Sequence, residues 1–165
     1  MNKYQCIIKR EVSIKEMQTQ IKINTPHVVH DTLEGETILI NLKNGNYYSF
    51  DKIGALIWEI IDKKGDLNKF VEIISVLFKE NREKTESCID NFISNLLGEN
   101  LLVTDNDYTP GVSSISAEDM EKMVRDRISA YEVPVVNRYS DMKDMLMLDP
   151  IHDIDEKGWP TINEN

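Results

Sequence analysis

Between residues 28 and 103 the chain sets an Asn-Gly pair between two short β-rich runs and follows it with three apolar stripes of one helical spacing. That order constrains the fold more than any other feature. Lys43-Asn44-Gly45-Asn46 separates residues 37–42 from Tyr47-Tyr48-Ser49-Phe50. Asn-Gly adopts positive φ at little cost, which makes it a strong hairpin signal. A two-residue turn would pair Leu42 with Tyr47, whereas a bulge beside Gly45 would shift which ring points inward, so the register stays open. Upstream, Val28-Val29 begins a further short strand, turned by Glu34-Gly35. A meander of this kind predicts a last strand with one unpaired edge.

Asp51 is placed to cap a first helix over 52–63, with Ile53, Leu56, Ile57, Ile60 and Ile61 on one face. Trp58 lies off that stripe and is expected to flank the core. Gly65 ends this helix and Asp66 caps the next, where Phe70, Ile73, Ile74, Leu77 and Phe78 repeat the pattern. A third helix over 85–98 repeats it with Ile89, Phe92, Ile93, Leu96 and Leu97. Three matching stripes imply one shared core.

The flanks differ in character. Net charge is +3 over 1–25, −5 over 26–104 and −8 over 105–165, giving the −10 of the 165-residue chain. We therefore read 1–25 as an N-terminal arm or extra strands, 26–104 as the folded domain, and 105–165 as an acidic linker and partly helical tail. In that tail Ser116-Ala117-Glu118-Asp119 has the form of a capping box, followed by Met120, Met123, Val124 and Ile128 on one face. Val133-Pro134-Val135-Val136 interrupts, and 139–148 has the pattern of another short helix. Five of the seven methionines (Met120, Met123, Met142, Met145 and Met147) fall in this region, which suits either a partner surface or docking onto the domain.

This charge balance argues against nucleic acid, whose affinity comes largely from Lys and Arg displacing counterions. No run approaches the roughly 20 apolar residues that span a bilayer, and the N-terminus lacks the continuous apolar stretch of a secretion signal. Cys6 and Cys88 stand apart without a CxxC or Cys/His cluster, as free thiols of a cytoplasmic protein do. His152 with Asp149, Asp153 and Asp155 matches no metal-ligand spacing, and His27 and His30 fall on opposite faces of a strand. No nucleophile elbow, phosphate loop or zincin motif occurs. The chain therefore reads as a non-enzyme with no cofactor.

The run of residues 39–42, Gly45, Tyr47-Tyr48, Gly54 and Ile57-Trp58, within ETILINL, NGNYYSF and DKIGALIWEII, resembles the PqqD family of coenzyme PQQ synthesis and its relatives. The resemblance covers 26–103. It implies an α+β, winged-helix-like fold with a three-stranded antiparallel sheet followed by three helices. It also implies a recognition element that binds the leader of a ribosomally made precursor peptide and presents it to a modifying enzyme, such as a radical SAM protein. In the family the leader lies as an extra strand along the third strand, against the third helix. Carried onto this sequence, that groove is Asn46, Tyr47, Tyr48, Ser49 and Phe50, with Cys88, Asn91, Phe92 and Asn95 from the helix. The tail then either wraps onto the partner enzyme or folds back into the groove.

Two alternatives stand beside this reading. A winged-helix transcription regulator would share the topology, but the third helix sets Lys84 against Glu86, Asp90 and Glu99, which repel phosphates. A precursor fused to its own recognition domain would make the tail itself the substrate. A homodimer through an exposed strand edge or the N-terminal arm also stays open.

Overall fold

The computed structural model describes residues 21–104 and 115–140. In chain order its elements are β1 (Ile21–Ile23), β2 (Val28–Leu33), β3 (Glu36–Asn41), β4 (Asn46–Asp51), α1 (Lys52–Asp62), α2 (Leu67–Phe78), α3 (Arg82–Gly98), β5 (Leu102–Thr104), α4 (Ala117–Arg127) and β6 (Asn137–Tyr139). The fold is α+β with antiparallel sheets, and the expected three-stranded sheet is corrected in two ways. The main sheet has four strands in the order β2-β3-β4-β6, because the tail adds one. A second, two-stranded sheet joins β1 to β5, with Lys22 opposite Val103.

The turns follow backbone chemistry. Glu34 and Gly35 both take positive φ, +52° and +85°, and Leu33 pairs with Glu36 across them, a two-residue hairpin. The Asn44-Gly45 turn is longer than two residues: Asn41 pairs with Asn46, and Tyr47 faces Ile40 rather than Leu42. Asn41 makes the difference. Its carbonyl accepts the N–H groups of Asn44 (3.3 Å) and Gly45 (2.8 Å), and its side-chain oxygen accepts that of Lys43 (3.0 Å). This local capture outcompetes the tighter turn.

The register sends Leu39, Tyr48 and Phe50 to the inner face, where α1 lies. Trp58 is a correction to the sequence reading. It is only 1% exposed, with His30 edge-on at 5.4 Å and Phe50 at 5.6 Å between ring centroids. The cause is that α1 touches β1, β3, β4, α2 and α4, so residues beside its main stripe are enclosed as well. Gly54 allows a close approach: a Cβ there would sit 3.0 Å from Phe50 Cβ and 3.2 Å from Phe92 Cζ.

Helix α2 is capped as expected, Asp66 accepting from the N–H groups of Asn68 and Lys69, whereas Asp51 makes no side-chain cap bond to α1. Helix α3 begins three residues earlier than its apolar pattern, where Asn81 accepts from Lys84 N–H. In the tail, Ser116 caps α4 by accepting from Asp119 N–H, and Met120, Val124 and Ile128 join the same core as the helices. Ile21 and Ile23 also join it, so both flanks are built into the domain wherever they are described. Cys6, all but the first two residues of the helix expected over 139–148, with Met142, Met145 and Met147, and the His152 cluster lie outside the described residues.

Candidate peptide-binding groove

Strand β4 positions the groove. Lys52 N–H donates to Gly35 C=O (3.1 Å), and Leu42 N–H to His27 C=O (2.8 Å). Counting along antiparallel ladders from these bonds, the backbone groups of Asn46, Tyr48 and Phe50 turn toward β3, and those of Tyr47 and Ser49 turn to the far edge. That edge is not vacant, which corrects the sequence expectation. Strand β6 pairs with it antiparallel, Tyr47 opposite Tyr139, Tyr48 opposite Arg138 and Ser49 opposite Asn137. Pro134 among three valines keeps the preceding chain extended, so it arrives ready to pair, and Tyr139 lies in this strand rather than in a helix.

Between α4 and β6 the tail runs along α3. Tyr131 lies against Thr85 and Cys88 near the helix start, and Val136 and Arg138 line a cleft of about 350 Å³ with Asn95, Gly98 and Glu99 near its end. Burial, with the Cys88 thiol adding to it, pushes the Tyr131 phenol far above the ordinary tyrosine range, so this anchor is neutral. Glu132 pairs with Lys52 at the start of α1.

Glu99 closes the groove and was missed as a site residue. Its Oε2 accepts from Tyr48 Oη (2.7 Å) and its Oε1 from Arg138 Nη1 (3.3 Å), while its carbonyl accepts from Asn41 Nδ2 (3.2 Å). A carboxylate at a helix C-terminus opposes the helix dipole, and that mismatch was the readable signal. Desolvation first and Glu99 second raise the Tyr48 phenol, which keeps it a hydrogen-bond donor.

The sequence-named groove residues separate by direction. Tyr47 and Ser49 present backbone to β6, and Asn95 lines the cleft beside Arg138. Asn46 is buried, with Nδ2 donating to Tyr48 Oη at 3.4 Å. The Tyr48 and Phe50 side chains fill the core, as does Phe92, which meets Phe50 edge-on at 5.4 Å. Cys88 is buried beside Tyr131, and Asn91 is partly buried on α3.

What holds β6 is modest. Ladder bonds contribute about 1 kcal/mol net each, the Tyr47/Tyr139 cross-strand pair roughly 0.2–1 kcal/mol, and the half-exposed Arg138–Glu99 pair at most about 1 kcal/mol. All three strand residues are exposed, Tyr139 at 49%. An extended peptide of comparable length could therefore take the same ladder.

A larger cleft of about 1070 Å³ opens beside the β2–β3 turn, where His30, Asp31, Glu36, Asp62 and Asp126 contribute to its wall. Its wall includes Thr32 beside His30 and Asp31 on β2, the other edge strand of the sheet. Among the described residues no group of three metal-binding side chains forms, and no helix is long and apolar enough to cross a membrane.

The family model described as coenzyme PQQ synthesis protein D (PqqD) matches residues 36–102. A solved structure, "TbiB1 in Complex with the TbiA(beta) Leader Peptide", is 25% identical, with a TM-score of 0.45 over 53% of this chain and 98% of its own. No curated protein matches the chain.

Proposed function

Because residues 36–102 form a PqqD-like domain, we propose that the protein binds the leader of a ribosomally made precursor peptide by strand addition to β4 and presents it to a peptide-modifying enzyme. The observation that carries this reading is the β4 edge itself, which accepts an antiparallel strand opposite Tyr47, Tyr48 and Ser49 with α3 as the second wall. Strand addition draws affinity from main-chain hydrogen bonds and specificity from pockets for alternate side chains. Here those pockets are the Thr85/Cys88 site on α3 and the Glu99 carboxylate, so an aromatic or aliphatic anchor followed by Lys or Arg fits best. The negative charge of the chain favours a basic leader, or a basic face on the enzyme. The partner is a radical SAM protein or another modifying enzyme of the cytoplasm, and the domain contributes binding rather than chemistry.

The test uses fluorescent peptides covering the N-terminal portions of short reading frames encoded beside this gene. Binding is expected at one of them, weakened at least tenfold by Ser49→Pro. That change removes the outward N–H of β4 and leaves the β3 ladder bonds in place. No binding by any such peptide, or equal binding by a folded Ser49→Pro variant, contradicts the proposal.

A second reading is favoured by the identity of β6. The strand in the proposed leader position belongs to this chain, and residues 141–165 follow it, the order of a leader ahead of a core. If the tail is a fused substrate, intact mass after co-expression with the neighbouring enzymes shifts by a modification within 141–165. An unchanged mass rejects it.

A further inference from the structure

We propose that residues 131–139 are a built-in ligand of the groove, so that a precursor leader binds by displacing the chain's own strand. The proposal rests on the leader-recognition reading and adds its regulation. The segment behaves as a peptide ligand in each structural respect. Its last three residues form a strand that pairs antiparallel with β4 through the outward backbone of Tyr47 and Ser49, and it runs along α3 from Thr85 and Cys88 to Asn95 and Glu99. It places Tyr131 against the first wall site and Arg138 on the Glu99 carboxylate.

The segment is held at two strengths. Upstream, α4 docks by Met120, Val124 and Ile128 in the core, and Arg127 pairs with Glu59 of α1 at 2.6 Å. Downstream, Asn137, Arg138 and Tyr139 are all exposed. Firm docking of α4 keeps the strand at the groove with an effective concentration on the order of millimolar, while the exposed strand can leave without disturbing the core. A free leader must then outcompete a tethered one, which lowers its apparent affinity by the fraction of molecules already open. Weak or ill-matched peptides are refused, and a matched leader, or an enzyme that pulls the tail away, opens the edge.

The test compares the full chain with Asn137→Pro, which removes the N–H facing Ser49, and with Arg138→Glu, which sets like charges together at Glu99. The probe is a labelled synthetic peptide of residues 129–140. It is expected to bind both variants at least tenfold more tightly than the parent chain, and the Tyr47 and Ser49 amides are expected to exchange faster with solvent in the variants. Equal affinity for parent and variants, or binding to none of them, overturns the proposal. So does protection of those amides that falls on dilution, since the strand would then come from a second copy. The leader peptides tested above separate the two readings. If they bind parent and variants alike, self-occupancy fails and leader recognition stands. If the 129–140 peptide binds the variants and no leader does, self-occupancy stands and leader recognition fails.

Discussion

At Gly54 a single missing methyl group sets how closely α1 approaches the sheet and α3. The nearest neighbours of an added Cβ are Phe50 Cβ and the Phe92 ring, and both belong to the packed centre. Phe92 cannot swing away without moving Phe50, its edge-on partner. Gly54→Ala should therefore destabilise the protein by about 1–3 kcal/mol despite the better helix propensity of alanine, as read by urea unfolding. An unchanged or raised midpoint would show that the two rings are loosely held. Glu59 is a second residue with a readable consequence. Burial alone would raise its carboxyl, but Lys63 and Arg127 outweigh that, and it titrates below the ordinary Glu range. Its depressed value contributes stability that is present above the unfolded-state Glu pKa and is lost as pH falls through the lower folded one. Glu59→Gln should cost about 1 kcal/mol at pH 7, and the gap from the parent chain should close as the pH is lowered through that window. A gap independent of pH would contradict the assignment.

The helices show which element signals a sequence carries. Two aspartates occupy N-cap positions, and both read alike in sequence, yet only Asp66 bonds to the first turn of its helix. Asp66→Ala should lower stability by about 1 kcal/mol, and Asp51→Ala should leave it within about 0.5 kcal/mol, measured by thermal or urea unfolding. Equal losses would refute the distinction. The difference was illegible because α1 follows β4 without a loop, and a strand residue is committed to its ladder before it can cap. The stripes of α1, α2 and α3 and the Ser116 cap of α4 were readable, since each is a local periodicity or a local hydrogen bond. The burial of Trp58 was not, because periodicity describes one helix face and cannot count how many neighbours surround the helix. The register at Asn44-Gly45 is not legible from the turn residues, because the carbonyl and side chain of Asn41 set it.

For the molecule as a whole, the strand and helix that flank the candidate groove were legible in the sequence, and the strand lying between them was not. β4 follows directly from the hairpin signal and α3 from its stripe, whereas Tyr47, Ser49 and Asn95 were named as one groove only through the resemblance to the PqqD family. Strand β6 is a three-residue pairing between positions 88 or more apart in the chain. No local pattern announces such a contact, and the tail was accordingly left between two placements. Glu99 escaped for a related reason: its partners Tyr48 and Arg138 come from two different parts of the sequence. In the proposed function, an extended leader peptide attaches at the outward ladder of β4. The most direct measurement is a titration of the isotope-labelled chain with such a leader, followed through the backbone amide resonances. Tyr47, Ser49 and the β6 residues should shift together, β6 moving toward unpaired values as the leader takes its place. Saturated binding that leaves Tyr47 and Ser49 unmoved would contradict it.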